Sequence, residues 1–240
     1  MARHRRRRSR QTEIQFRTWG GARELSGRKK VLPGKPRVAH RARPKLASRF
    51  PVHVTTRIRN DVPRLRNRKR CQVIRAAMLA VSDEPGFRIC EFSVQGSHLH
   101  LICEAEDNAA LARGMKRFKL RVARGLNRQL NRRGSVFLDR YAMTILTTPR
   151  QTRNCLCYVL HNARRHGERL PGVDPYSSAR WFSGWADDSW RHGLSPPPEL
   201  EPCVSPAQTW LLTTGWRRHG LIRITETPAS APSDQHARPR

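Results

Sequence analysis

The chain has 240 residues, with 48 Lys plus Arg against 18 Asp plus Glu, and a formal net charge of +30. Arginine supplies 41 of these cations and lysine 7, and a guanidinium group binds phosphate through two hydrogen bonds, so the composition indicates an anionic partner such as nucleic acid. No uninterrupted apolar run approaches the roughly 20 residues that span a bilayer, and no apolar segment follows the basic start, so we expect a protein without membrane association that is cytoplasmic and associated with the nucleoid.

The charge is distributed unevenly and divides the chain into three segments. Residues 1–49 contain 17 cationic and 2 acidic residues, a net charge of +15, and residues 50–167 contain 23 and 8, again +15. Residues 168–240 contain 8 of each and are neutral. The pattern predicts a basic, largely disordered arm over 1–49 that contacts phosphates, with a minor-groove element at 27–29, followed by a folded domain over 50–167. A merely solvated tail is the alternative for the arm.

The first half of the domain is predicted to contain three strands and a helix. Residues 52–58 alternate apolar and polar side chains, which is typical of a strand, and residues 66–82 follow as a helix. Residues 87–94 and 98–104 are predicted as strands. The short turn at 95–97 between them implies an antiparallel hairpin.

Residues 108–133 are predicted to form a long helix with two distinct faces. Its apolar residues recur at spacings of three and four, at Leu111, Met115, Phe118, Val122, Leu126 and Leu130. A stripe of arginines has the same spacing two residues out of phase, about 200° around the helix: Arg113, Arg117, Arg121, Arg124, Arg128 and Arg132. Because no acidic residue stands at i±4, these side chains would repel one another unless phosphates lie along them. The stripe therefore predicts nucleic-acid contact, with a solvated face as the alternative.

A fourth strand over 136–146 and a final helix over 150–166 complete the domain. The order β-α-β-β-α-β with right-handed crossovers predicts a ferredoxin-like α+β fold, an antiparallel sheet with two helices on one face and an added C-terminal helix. The extension 168–240 contains three consecutive prolines at 196–198 and an aromatic patch of Trp181, Trp185 and Trp190, which we expect to pack on the domain. The end after residue 228 is predicted to be disordered.

Two histidines on the third strand are candidate metal ligands. The pleat of residues 98–103 places His98 and His100 on one face and turns Leu99 and Leu101 toward the two helices. Two imidazoles side by side on the open face of a sheet can hold a divalent cation. A pair of surface histidines without a ligand is the alternative.

The final helix contributes a tyrosine and a carboxamide. Its apolar face is predicted to consist of Leu156, Val159, Leu160 and Ala163. Tyr158 and Asn162 are one turn apart and should project away from that face, which distinguishes Tyr158 from a core tyrosine. Arg164 and Arg165 in the last turn are candidates for DNA contact, although cations there also offset the helix dipole. His161 is interpreted as a DNA or rim contact.

The six cysteines do not indicate a metal or disulfide framework. They have no C-x-x-C spacing and no nearby His-x-x-x-His, so reduced thiols are expected: Cys71, Cys90, Cys103, Cys155, Cys157 and Cys203.

These motifs, taken in order, resemble the HUH-type single-tyrosine transposases, and most closely the REP-associated tyrosine transposases. The resemblance rests on VQGSHLHLI (94–102), FLDRY (137–141), YVLHNAR (158–164) and DPYSSARWFSGW (174–185), with a weaker likeness of WGGARELSGRK (19–29) to a basic leader. It covers roughly residues 50–186. Members often have Asn-Pro where this chain has Asn162 and Ala163, and Glu24-Leu25 also departs from the leader pattern.

The resemblance implies cleavage and rejoining of single-stranded DNA, at elements that contain hairpins. Tyr158 would attack a phosphodiester to form a 5′-phosphotyrosine, and a Mg²⁺ or Mn²⁺ ion held by His98, His100 and Asn162 would polarise the phosphate. A mixed nitrogen and oxygen ligand set favours Mn²⁺. A free tyrosine titrates near pH 10, so the attack requires this assistance.

Several alternatives remain open from the sequence. The chain could be a non-catalytic binder, either a transposase that has lost activity or a module like those that recognise RNA on a ferredoxin-like sheet. Tyr141 is a rival nucleophile, although it lies on a strand without a carboxamide at i+4. A monomer and a homodimer are both compatible with the sequence, as is a tyrosine that acts in cis or in trans.

Overall fold

The computed structural model of the protein describes residues 43–165, 167–168, 170, 172–187, 201–226 and 228, all within one compact unit, Arg37–Arg240. The predicted arm therefore lies almost entirely outside the described residues, as do the leader at 19–29, Trp190 and the end beyond residue 228. Within the described part, no helix is long and apolar enough to cross a membrane.

The domain contains four strands and three principal helices. The strands are β1 (Val52–Arg57), β2 (Phe87–Val94), β3 (His98–Ala105) and β4 (Ala142–Ile145). The helices are α1 (Arg68–Leu79), α2 (Asn108–Gln129), α3 (Pro149–Leu160) and the short α4 (Asn162–Arg165). The extension adds a 3-10 turn at Ala179–Trp181, the short helix α5 (Trp210–Thr213) and a second 3-10 turn at Gly215–His219.

Each principal helix begins at a side chain that satisfies exposed backbone N–H groups. Asn67 accepts hydrogen bonds from the backbone N–H groups of residues 69 and 70 before α1, and Asp107 accepts one from residue 110 at 2.7 Å before α2. Thr148 accepts one from residue 151 before α3, where Pro149 occupies a position that needs no N–H donor. Polar caps thus set the helix starts that hydrophobic periodicity alone leaves uncertain.

The sheet has the strand order β2-β3-β1-β4, and every neighbouring pair is antiparallel. This order confirms the predicted ferredoxin-like α+β fold. In the register of the central strands, His53 pairs with Ile102 and Thr55 pairs with His100. Because side chains alternate between the faces, all four of these residues lie on one face of the sheet.

The opposite face of the sheet packs against α1 and α2. Leu99, Leu101 and Cys103 are fully buried there against the apolar side of α2, as the alternation in β3 predicts. Tight packing fixes the distance between layers, because a Cβ added at Gly114 of α2 would come within 2.2 Å of the Phe87 ring.

The histidine-bearing face of the sheet is covered, and the prediction of an open face is wrong. Ile102 is fully buried there in a second hydrophobic cluster with α3, and His100 is only 4% exposed. The buried residues of α3 run without interruption from Cys155 to Leu160, so the helix has no solvent-facing side over its last two turns. Tyr158 and Asn162 are buried as well, 7% and 0% exposed, so the predicted distinction between Tyr158 and a core tyrosine is wrong.

The fourth strand and the final helix depart most from the prediction, whereas the helices predicted over 66–82 and 108–133 are only trimmed, to Arg68–Leu79 and Asn108–Gln129. The fourth strand covers only Ala142–Ile145, since the carbonyls of Asp139 and Tyr141 accept hydrogen bonds from the side chains of Lys119 and Arg43 instead of a neighbouring strand. The final helix breaks at His161, whose φ of −104° and ψ of 11° separate α3 from α4. The shortening of the fourth strand thus arises from side-chain contacts that strand periodicity does not contain.

The described residues of the extension complete the second cluster. Residues 176–178 run antiparallel along the edge of β2, with hydrogen bonds from Val94 N–H to the Tyr176 carbonyl and from Ser178 N–H to the Phe92 carbonyl. Residues 201–226, here called the C-terminal lobe, then place Leu212 and Trp216 against α3. The expectation that aromatic residues pack on the domain is met by Trp185, which is 7% exposed. Trp181 is partly buried beside the first cluster.

Replacing Trp216 by alanine should lower the free energy of unfolding by about 3–5 kcal/mol. Trp216 is 1% exposed, and its six-membered ring fills the space above Gly184, where a Cβ would come within 2.4 Å. Chemical denaturation with the linear extrapolation measures the loss. Substitution of Trp210, which is about half exposed (47%) in the same lobe, should cost less, about 1 kcal/mol. Equal effects of the two substitutions would contradict the burial of Trp216.

Candidate active site

Tyr158 lies against a group of histidines on the covered face of the sheet. Its ring centroid is 5.1 Å from that of His100 and 5.9 Å from that of His53, and both contacts are edge-on. The His98 and His100 rings are neighbours at 4.8 Å with an interplanar angle of 87°. The structure therefore brings Tyr158, His98 and His100 together, from strand and helix segments 58 residues apart in sequence.

Two side chains of the neighbouring strand β1 hold His100 in one orientation. Its Nδ1 lies 3.2 Å from Nε2 of His53 and 3.2 Å from Oγ1 of Thr55. Burial lowers the pKa of His53 to about 4, so that ring is neutral near pH 7 and its Nε2 can accept a hydrogen bond from the Nδ1–H group of His100. With Nδ1 engaged, His100 would bind a metal ion through Nε2.

Asn162 lies four residues after Tyr158, as the first residue of α4, and is completely buried. Neither its carboxamide oxygen nor its nitrogen has a hydrogen-bond partner among the described residues. Burying an amide without hydrogen-bond partners costs about 1–3 kcal/mol of folding free energy relative to leaving it in water. An oxygen ligand to a cation would remove part of this cost, so Asn162 fits the role that the sequence suggests for it.

The donor set suits a divalent ion of the Mn²⁺ type. With Asn162 as a third ligand, the two imidazole nitrogens, one of them oriented by Thr55 and His53, and the carboxamide oxygen would form a mixed set of the kind that Mn²⁺ accepts more readily than Mg²⁺. Among the described residues, no group of three or more His, Cys, Asp or Glu side chains has the arrangement of a metal site. The candidate site thus depends on Asn162 as the third ligand.

The two arginines of α4 have different surroundings. Arg164 donates hydrogen bonds to the carbonyls of Leu170 and Gly172, the latter at 3.0 Å, and so holds the segment that follows the helix. Arg165 is exposed, and its guanidinium carbon lies 5.3 Å from the centroid of the Tyr158 ring. Of the two, Arg165 is the one positioned to meet a phosphate that approaches Tyr158.

The arginine stripe of α2 lies on the other side of the sheet. Its helix packs against the face formed by Leu99 and Leu101, whereas His100 and Tyr158 lie on the opposite face, so the sheet separates the stripe from the histidine site. Two of its members also have acidic partners from outside the helix: Arg117 pairs with Glu84, and Arg132 pairs with Asp61. The four exposed members without an ion pair among the described residues are Arg113, Arg121, Arg124 and Arg128.

Tyr141, the rival nucleophile, is buried on the far side of the sheet from Tyr158. It belongs to the core between the sheet and α1–α2, and the guanidinium carbon of Arg43 covers its ring at 3.7 Å from the centroid. Burial raises the pKa of the Tyr141 phenol, which disfavours its nucleophilic anion. His161 is also buried, with its imidazole edge-on to Trp185. The prediction that His161 lies at a rim or DNA surface is therefore wrong.

His53 and Thr55 are site residues that the sequence prediction missed. The alternation of residues 52–58 already assigns them to the face opposite Val52 and Val54. The signal that could have found them is the pairing of β1 with β3, because in a ferredoxin-like sheet these two strands are adjacent and the register sets Thr55 beside His100.

Comparisons with known proteins agree with this architecture. Residues 47–162 match the family model described as "Transposase IS200 like". A solved structure of a REP-associated tyrosine transposase bound to a REP hairpin is similar in fold, with a TM-score of 0.50 and 16% sequence identity over 72% of this chain and 93% of that chain. No curated protein is significantly similar to the chain. With the ferredoxin-like sheet and the matched residues considered together, residues 47–162 form a domain of the IS200-like transposase family.

Proposed function

We propose that the protein cleaves and rejoins single-stranded DNA through a covalent 5′-phosphotyrosine at Tyr158, at elements that contain a hairpin. The observation that carries the proposal is the contact of the Tyr158 ring with His100, at 5.1 Å between centroids, beside the neighbouring ring of His98. The structural relative bound to a REP hairpin supports hairpin DNA as the partner. Association with the nucleoid would follow from such a substrate.

The reaction is an exchange of one phosphodiester bond for another. The phenol oxygen of Tyr158 bonds to phosphorus as its proton leaves, and the bond from phosphorus to the 3′-oxygen breaks. The 3′-oxygen gains a proton and becomes a free hydroxyl, so the number of bonds and charges is conserved. Attack of a 3′-hydroxyl on the phosphotyrosine reverses the step and rejoins strands.

The protein's own residues position these groups. Thr55 and His53 fix the ring of His100, the packing of α3 fixes Tyr158, and the exposed Arg165 offers a cation beside the phenol. His98, His100 and Asn162 would hold Mn²⁺ or Mg²⁺, which when bound stabilises negative charge on the phosphate. Because these groups lie in a largely buried layer, charge interactions there are stronger than in water.

The direct test is incubation of the full chain with a single-stranded hairpin oligonucleotide labelled at either end, with Mn²⁺ or with a chelator. We expect a covalent protein–DNA adduct that carries the 5′-phosphate side of the cut, a free 3′-hydroxyl on the other product, and no adduct with the chelator. Denaturing electrophoresis and peptide mass spectrometry identify the adduct and its residue. Tight binding with no adduct on a series of hairpins would favour the non-catalytic binder instead.

The arginine stripe should contribute to DNA affinity without affecting the chemical step. Replacing Arg113, Arg121, Arg124 and Arg128 together by glutamine should reduce the slope of log affinity against log salt by about 3, because each phosphate neutralised contributes roughly 0.7–0.9. Cleavage at saturating DNA should be unchanged, since the sheet separates the stripe from Tyr158. Arg132→Gln is the matched control, because Arg132 is already paired with Asp61. An unchanged slope in the fourfold variant would show that the stripe is a solvated face.

A further inference from the structure

The C-terminal lobe presents an exposed aromatic ring among cations. Trp210 on α5 is 47% exposed, and the guanidinium carbon of Arg218 lies 4.8 Å from its ring centroid. Arg217 and His219 flank Arg218 on the following 3-10 turn and are exposed, with the Arg217 guanidinium carbon 4.8 Å from the ring centroid of the neighbouring Trp216. The lobe has no acidic residue between Glu201 and Glu226. An exposed indole with one arginine against its ring and a second nearby on the same turn is the side-chain combination that stacks on nucleotide bases and attracts their phosphates.

The Trp210 ring is held in place rather than tethered loosely. A Cβ added at Gly215 would come within 2.6 Å of the ring, so one part of the indole rests directly on the backbone of the 3-10 turn. The next two residues of α5, Leu211 and Leu212, are buried, and the indole N–H of Trp216 donates to the Leu212 carbonyl at 3.0 Å. The exposed ring is therefore supported by packed residues. Its fixed position lowers the entropic cost of stacking a nucleotide base on it.

Two sets of polar contacts connect the lobe beneath Trp210 to the elements of the candidate active site. The Glu104 carboxylate accepts hydrogen bonds from the backbone N–H groups of Gln208 and Thr209, the latter at 2.8 Å, immediately before α5. Glu104 belongs to β3, the strand that carries His98 and His100.

The second connection runs through α3, the helix that carries Tyr158. Arg153 of α3 donates to the carbonyls of Gly220 and Leu221 and pairs with Glu226 at 2.7 Å. Because Glu226 is paired with Arg153, it does not neutralise Arg217 or Arg218, and the exposed surface around Trp210 stays positively charged. A base bound at Trp210 would be fixed relative to both elements of the active site.

We propose that Trp210, with Arg217 and Arg218, is a stacking platform for an unpaired nucleotide of the DNA strand that is bound at Tyr158. The inference rests on the proposed function in that its ligand is the single-stranded part of the same substrate. An unpaired base has both faces open and can stack on the indole, whereas bases inside a hairpin stem are already stacked on one another. The platform thus selects single-stranded flanks over duplex.

The experiment measures binding rather than cleavage, in the Tyr158→Phe background and without divalent metal. Three ligands are compared by fluorescence anisotropy: an unstructured single strand, a hairpin with single-stranded extensions, and the same hairpin with blunt ends. Trp210→Ala should weaken binding of the first two by roughly 5- to 150-fold and leave the blunt hairpin unchanged. Trp210→Phe should recover most of the affinity, because a smaller aromatic ring still stacks.

Two further variants keep the test decisive. Leu79→Ala removes an apolar side chain of equal exposure (48%) at the end of α1 and should change no affinity. Arg217→Gln with Arg218→Gln should lower the salt dependence for the extended ligands without altering the indole, which tests the platform even if Trp210→Ala unfolds the lobe. The proposal would be overturned if Trp210→Ala bound the single strand as tightly as Leu79→Ala does. It would also be overturned if Trp210→Ala lost equal affinity for the extended and the blunt hairpins. A missing covalent adduct would contradict the proposed chemistry but would leave these binding results interpretable.

Discussion

Tyr158→Phe is expected to eliminate the covalent protein–DNA adduct completely while leaving affinity for hairpin DNA within about twofold. The substitution removes only the hydroxyl that would bond to phosphorus and keeps the ring, which packs edge-on against His100 and His53. The free energy of unfolding should change by no more than about 1 kcal/mol, the typical contribution of one hydrogen bond. Adduct formation is measured by denaturing electrophoresis of labelled DNA, and stability by thermal unfolding.

Tyr141→Phe provides the matched control for this variant. It removes a phenol hydroxyl of the same chain from the opposite side of the sheet, where Arg43 covers the ring. Wild-type levels of adduct are expected from Tyr141→Phe. If the adduct persists in Tyr158→Phe and disappears in Tyr141→Phe, Tyr141 is the nucleophile instead. If it persists in both variants, the nucleophile lies elsewhere in the chain.

The faces of individual elements could be predicted from the sequence because they follow from local geometry. Alternation in β3 separates Leu99 and Leu101 from His98 and His100, and the structure separates them in the same way. The spacing of apolar residues in α2 likewise identifies the side that is buried. Period-2 and period-3.6 patterns need no knowledge of the rest of the chain, so these predictions hold wherever the element packs.

What the sequence could not provide is the relation between elements. The stripe of α2 and the histidines of β3 are each recognisable, but only the tertiary packing shows that the sheet lies between them. In the same way, the pattern of α3 predicts one apolar face, whereas the lobe covers its other side with Leu212 and Trp216. Such long-range cover is not encoded in the periodicity of the covered helix itself.

The burial of Asn162 shows why this matters for the candidate site. On a half-exposed helix its carboxamide would be hydrated, and its presence near Tyr158 would carry little weight. In the structure it is 0% exposed and neither polar atom has a hydrogen-bond partner among the described residues, so a ligand on its oxygen would offset the cost of burying the amide. The break at His161, which no helix pattern predicts, sets Asn162 on a separate turn from Tyr158.

His98→Ala should lower cleavage at least about 100-fold while leaving salt-dependent DNA binding nearly intact. Loss of a residue that merely orients a metal ligand typically costs 10- to 100-fold in metal affinity or activity, and loss of a ligand itself should exceed this range. His98 is partly exposed at the start of β3, so its removal creates no closed cavity and should leave the fold unchanged. Single-turnover cleavage over a Mn²⁺ titration and filter binding over a salt series separate the two effects.

Thr55→Val distinguishes a metal-site defect from a structural one. Valine has nearly the shape of threonine but cannot accept the hydrogen bond from Nδ1 of His100, which lies 3.2 Å from the threonine oxygen. We expect the Mn²⁺ concentration needed for half-maximal cleavage to rise by about 10- to 100-fold, with the maximal rate recovered at high Mn²⁺. His98→Ala should not recover in the same titration, because a missing ligand also changes the charge and geometry around the ion. If His98→Ala instead loses binding and cleavage in equal proportion, His98 supports the structure of the sheet edge, and the metal site would have to be sought without it.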